Sequence, residues 1–186
     1  MDRRQLFKQA CGMGVCTCVG VTALATACLG AEEADTDDMG RQLHQLQWWQ
    51  GHTKRQTARL WELLEPHLDE ATRRDILEQL GRNCAEAGGW AKRHQGDLPG
   101  MLQEMREHGD TVEYDEAKGI ITVTGPERDC GCGMVDSKVM PSYYCQCSVG
   151  WQKQTYETVL GRKVDAVLKE SVLHGAKRCA FEIRIL

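Results

Sequence analysis

The residues with the most chemistry in this sequence are its cysteines, ten in 186 residues. Four (Cys11, Cys16, Cys18, Cys28) fall in the first thirty residues, and six (Cys84, Cys130, Cys132, Cys145, Cys147, Cys179) lie further on. Cys130-Gly131-Cys132 and Cys145-Gln146-Cys147 form a Cys-x-Cys…Cys-x-Cys pattern inside a segment rich in Gly, Pro and polar residues, 129–147. Two close thiol pairs brought together by a loop can supply the four soft ligands of tetrahedral zinc. Glycine at 131 eases the tight turn that aims both sulfurs inward. The pattern is expected to bind metal through Cys130, Cys132, Cys145 and Cys147, zinc first and an iron–sulfur cluster second. Disulfides between the pairs and a thiol-redox pair are the competing chemistries.

Two further residues are candidates for catalysis. Cys84 sits in Gly81-Arg82-Asn83-Cys84-Ala85, where it reads either as a packed core cysteine or as a nucleophile beside groups that could orient an anion. Glu157, between Tyr156 and Thr158 in the cysteine-rich half, is a candidate general base. Cys179 alternates with Phe181 and Ile183 and reads as packing. The six histidines show no ligand spacing, although His174 lies in a turn where it could line a pocket.

The elements that must position these groups follow from periodicity. Apolar residues at Leu43, Leu46, Trp49, Leu60, Leu63 and Leu64 predict helix from Arg41 until Pro66 stops it. Trp48, Trp49 and Trp61 are read as helix packing. A second helix is expected over 70–86 with Ile76, Leu77, Leu80 and Cys84 on its apolar face, ended by Gly88-Gly89. A third runs over 98–108, with Pro99 in its first turn. The period then changes to two. Val112 and Tyr114, a Lys118-Gly119 turn, then Ile121 and Val123 make a hairpin. A helix capped by Ser148 over 150–160 and two strands, at 164–168 and 179–185, complete the chain. The expected class is α+β: N-terminal helices packed on an antiparallel sheet, with a cysteine-rich loop.

The opening Met-Asp-Arg3-Arg4-Gln-Leu6-Phe7-Lys8 resembles the twin-arginine export consensus, and Ala25-Thr26-Ala27 suits a signal peptidase. The organisation read from this is a signal peptide over 1–30, an acidic linker over 31–40 and one domain over 41–186. The Tat translocase is then the export partner, the location periplasmic or otherwise extracytoplasmic, and Cys28 a site where a lipoprotein could be anchored. Such cargo folds in a reducing compartment, where thiolates stay available for metal. Net charge is −4. Arg3, Arg4 and Lys8 against Asp2 leave about −6 on the remainder, which argues against a nucleic-acid partner. No apolar run beyond the leader is long enough for a transmembrane helix.

From residue 119 onward an ordered series of short motifs is recognisable. It comprises Tyr144-Cys145-Gln146-Cys147-Ser148-Val149-Gly150-Trp151, Tyr156 to Arg162, Glu170 to Gly175, and Arg178-Cys179-Ala180-Phe181-Glu182-Ile183. The series resembles the L-2-amino-thiazoline-4-carboxylic acid hydrolase-like group and its Tat-exported bacterial relatives. The closing Gly-x-x-x-Cys-x-Phe-x-Ile is similar to 4-vinyl reductase-type small-molecule-binding domains. The resemblance implies a pocketed α+β domain with cysteines near the pocket. It also implies a metal-assisted hydrolase acting on a C–N bond of a small cyclic amidine. The alternatives are a non-enzymatic ligand-binding or sensing module with structural cysteines, and a thiol-redox protein.

Overall fold

Helix-forming composition without an interior proline carries the first helix, α1, over Val21–Leu64. The computed structural model describes the backbone from Val21 and the side chains from Asp38 to Leu186. Most of the expected leader, with its paired arginines, lies outside the described residues. Residues 31–40, expected as a linker, carry helical backbone within α1. Ala31, Glu32, Glu33 and Ala34 are good helix formers, and no proline interrupts the stretch. No described helix is long and apolar enough to cross a membrane. The chain divides into two compact units, 1–49 and 50–186. In the first, Trp48 and Trp49 meet edge to face at 4.9 Å and remain half exposed.

In the second unit, Pro66 enters a 3₁₀ turn, Glu65–His67, directly after α1. Helix α2 (Glu70–Gly88) starts at Asp69, whose side chain accepts the Thr72 amide, and ends at Gly89 in the left-handed region, φ 66°. Of its expected apolar face only Leu77 is buried. Ile76 and Leu80 are 40% and 41% exposed, and Cys84 is exposed too. The buried stripe is Leu77, Gly81 and Ala85. Small residues face inward because another helix comes too close for large ones.

A short helix α3 (Trp90–Arg93) leads to α4 (Leu98–Glu107), where Asp97 caps the Gly100 amide at 2.9 Å. Hairpin β1 (Thr111–Asp115) and β2 (Ile120–Thr124) follows, paired as Val112 with Val123 and Tyr114 with Ile121. The segment after it holds a 3₁₀ turn, Ser142–Cys145, that runs straight into α5 (Gln146–Leu160). This helix begins four residues before the expected start, so Cys147 lies in its first turn and Cys145 at its N-cap. Strands β3 (Val164–Glu170) and β4 (Ala180–Ile185) complete an antiparallel sheet of order β1-β2-β4-β3. The fold is α+β.

Two apolar clusters hold this unit together. One joins the sheet to the helices: Met101 and Met105 of α4, Tyr156 and Val159 of α5, and Ile121, Phe181 and Ile183 from the strands. The other gathers Ala58, Trp61, Leu77, Val135, Met140 and Tyr144. Fully burying a side chain such as Met101 or Ile183 contributes about 1.5–3 kcal/mol each.

Candidate functional site

Helices α2 and α5 touch backbone to backbone. A Cβ placed on Gly81 would lie 1.7 Å from the Cys147 carbonyl oxygen, and one on Gly150 would lie 1.9 Å from that of Glu78. Both positions require glycine. The contact is flanked by polar bridges. Glu78 accepts from Gln146 and Lys153 at 2.7 and 2.8 Å, and Arg82 donates to Gln154 and Glu157 at 3.1 and 2.8 Å. Trp90 stacks on Trp151, with centroids 6.1 Å apart, and its indole N–H donates to Glu104.

Beside this helix pair, and closed by the segment 125–135, is a cavity of about 410 Å³. Every one of the six cysteines after residue 38 lines it: Cys84, Cys130, Cys132, Cys145, Cys147 and Cys179. All six are free thiols. The structure therefore brings the 130/132 turn to the same cavity as Cys145 and Cys147. It adds Cys84 at the exposed rim and Cys179 from the end preceding β4. Among the described residues, no three Cys, His, Asp or Glu side chains converge closely enough to hold a metal ion as they stand.

The thiols differ in their surroundings. Burial pushes the Cys145 thiol up to about 11, and the Ser171 hydroxyl, donating to its sulfur at 2.9 Å, only partly offsets this. Burial pushes Cys147 up to about 12, with Cys132 and Cys145 adding to the rise. Cys132 is raised for the same reason, and the Lys54 charge opposes the shift weakly. Arg128 packs over the turn between the first pair, so that a Cβ on Gly131 would lie 3.2 Å from the guanidinium carbon.

Glu157 is placed differently from a general base facing this cavity. Its carboxylate takes the Arg82 guanidinium at 2.8 Å and the Lys163 ammonium at 3.4 Å. Burial raises its pKa, but the Arg82 hydrogen bond and charge outweigh this and hold it below the usual carboxylate range. Glu157 is not among the residues lining the cavity.

A second cavity, about 320 Å³, lies against the first. The two share Gly125, Arg128, Trp151, Gln152, Cys179 and Phe181 as a common wall. Within that wall Gln152 is 6% exposed, and its side-chain oxygen Oε1 has no hydrogen-bond partner. An amide oxygen so placed costs about 1–3 kcal/mol. The second cavity is also lined by Asp110, whose carboxyl is raised by burial despite the nearby Arg128 and His108 charges.

Reading by periodicity passes over Gln152, Arg128 and Asp110. Gln152 left a trace: with Thr155, whose hydroxyl is also buried without a partner, it is polar on an inner helix face that includes Val149, Tyr156 and Val159. Arg128 and Asp110 sit in loops, where no repeat marks them. His174, in a 3₁₀ turn (Val172–His174), lines neither cavity, although Val172 does.

No family model matches the chain, and no curated protein matches it. Among solved structures, it is similar to a trafficking protein particle complex subunit 3 from Naegleria fowleri, crystallised covalently bound to palmitic acid. The TM-score is 0.40 at 12% identity, over 73% of this chain and 96% of that one. It is also similar to the phenol-responsive sensory domain of the transcription activator PoxR, solved with phenol. There the TM-score is 0.44 at 16% identity, over 71% of this chain and 74% of that one.

Proposed function

We propose that this chain is a small-molecule-binding module whose ligand sits against the wall shared by the two cavities. The observation that carries the reading is Gln152, buried on that wall with its amide oxygen unpartnered. Cavities of this volume suit compact ligands. Trp151 and Phe181 offer aromatic faces, and Gln152 Oε1 calls for a donor. The ligand class is therefore a flat, mostly apolar molecule carrying one O–H or N–H.

Binding is favoured over hydrolysis by the protonation chemistry. A nucleophilic thiol needs a lowered pKa and a nearby base. Burial raises three of the cavity thiols, and Glu157 is already committed to Arg82 and Lys163. Among the described residues no hydrogen bond joins Cys84 to a histidine or carboxylate. The twin-arginine-like opening supports an extracytoplasmic setting for this module, reached in the folded state.

Calorimetric titration of the reduced protein with phenol, indole and imidazole tests the reading. At least one probe should bind, and Gln152→Leu should weaken it about fivefold, the worth of one ordinary hydrogen bond. The same substitution should leave the unliganded protein as stable as before or more so, because a buried unpaired acceptor is removed. The absence of binding by all three, or equal binding by the variant, refutes it.

A further inference from the structure

The wall shared by the two cavities carries one cation, Arg128, and nothing in the chain pairs with it. Other arginines of the second unit are taken up: Arg82 by Glu157, Arg106 by the Val112 carbonyl and Arg178 by Glu127. Glu127 adjoins Arg128 in sequence, yet Arg178 occupies it at 3.1 Å. Among the described residues, Arg128 makes its hydrogen bond through the backbone amide, to the Lys177 carbonyl at 3.3 Å. Its side chain is placed by Gly131. A Cβ there would lie 3.2 Å from the guanidinium carbon and from one terminal nitrogen, so the group rests over the Cys130–Cys132 turn where glycine leaves room. It lines the first cavity beside Gln152, whose buried amide oxygen has no partner. Two acids share these surroundings. Asp110 lines only the second cavity, where burial favours its neutral form despite the Arg128 charge. Asp129 lines the first cavity but is exposed, so water weakens its repulsion of an anion.

We infer that the ligand of this wall is an aromatic monocarboxylate, its carboxylate on the Arg128 guanidinium and its O–H or N–H on Gln152 Oε1. The inference rests on the binding function proposed above and adds one negative charge to the ligand. A guanidinium presents parallel N–H donors that match the two oxygens of a carboxylate. A single arginine balances a single negative charge, and the two acids nearby oppose a second, so a phosphate dianion is poorly matched. The ring lies against Trp151 and Phe181, which line both cavities. Val135, Val172 and Tyr144 make much of the remaining lining of the first cavity apolar. Apolar surroundings strengthen the ion pair relative to the same pair in water.

Calorimetry on the reduced full chain compares the three hydroxybenzoate isomers with the matching hydroxybenzamides, which keep the ring and the hydroxyl and lose the charge. At least one hydroxybenzoate should bind about tenfold more tightly than its amide, the effect of one hydrogen bond to a charged group. Arg128→Gln should bring that acid and its amide to within about twofold of each other. Arg128 is exposed, so the variant should fold with an unchanged urea midpoint. Arg184→Gln, on β4 and lining neither cavity, should keep the about tenfold preference. The inference falls if the preference survives in Arg128→Gln. If phenol or indole binds through Gln152 while no hydroxybenzoate binds better than its amide, the inference falls and the binding function stands. If no aromatic probe binds, both fall.

Discussion

Replacing Gly81 with alanine puts opposing effects in competition. Alanine is the better helix former by about 1 kcal/mol, so on propensity alone the variant gains stability. The added Cβ would lie 1.7 Å from the Cys147 carbonyl oxygen and 2.8 Å from the Trp151 amide nitrogen, where ordinary contact begins at 3.4 Å. Neither atom is the end of a flexible side chain. Helix α5 must therefore retreat by about 1.7 Å, and the apolar contacts along the pair open with it. Overpacking of this kind costs about 1–3 kcal/mol and sometimes more. With rigid backbone on both sides the upper end applies, leaving a net loss of about 2 kcal/mol after the propensity gain. Gly88→Ala in the same helix is the control, because nothing lies within 4 Å of its Cβ. It should be neutral or stabilising by up to about 1 kcal/mol. Urea unfolding followed by circular dichroism measures both, with midpoint shifts at constant m. If Gly81→Ala is as stable as Gly88→Ala, the helices do not meet as described.

Two predictions concern pH. The carboxylates of Glu78 and Glu157 are raised by burial but held lower overall by Lys153 with Gln146 and by Arg82 with Lys163. The stability they contribute is present above the unfolded value of about 4.3 and is lost as pH falls through the lower folded values. Glu78→Gln and Glu157→Gln together should flatten the acid arm of a stability–pH curve from urea titrations. Asp110 has the opposite sign, because burial raises its carboxyl. Its contribution is lost as pH rises through the folded value, so Asp110→Asn should raise Tm at pH 7 by a few degrees at most and confer no gain below about pH 3.9.

The legible part of this sequence was its periodicity. The hairpin over residues 112–123, the helix starting at Leu98 with Pro99 in its first turn, and the α+β layering all follow from spacing and turn residues. The buried face of α2 did not, because hydrophobic patterning gives weight to Ile76 and Leu80 and none to Gly81 and Ala85. Close helix packing selects for small size, which a search for apolar stripes overlooks. The N-terminal extension of α5 was hidden by Cys145-Gln146-Cys147, residues read for chemistry when they also make a first helical turn. Strand order β1-β2-β4-β3 leaves no local trace at all. For the cysteines, spacing pointed to two pairs in a loop, and the fold places all six on one cavity. Gln152 was readable only as a misfit, since what it lacks is a partner in space.

The meeting of Gly81 and Gly150 with backbone has a mechanical consequence. At those two points no side chain separates the helices, so there is nothing there to compress or rearrange, and that side of the cavity is stiff. The opposite side is the segment 125–135, which backbone hydrogen bonds from Gly125 to Cys179 and Arg128 to Lys177 tie to the chain before β4. Any give in the cavity wall therefore falls to the loop and not to the helix pair.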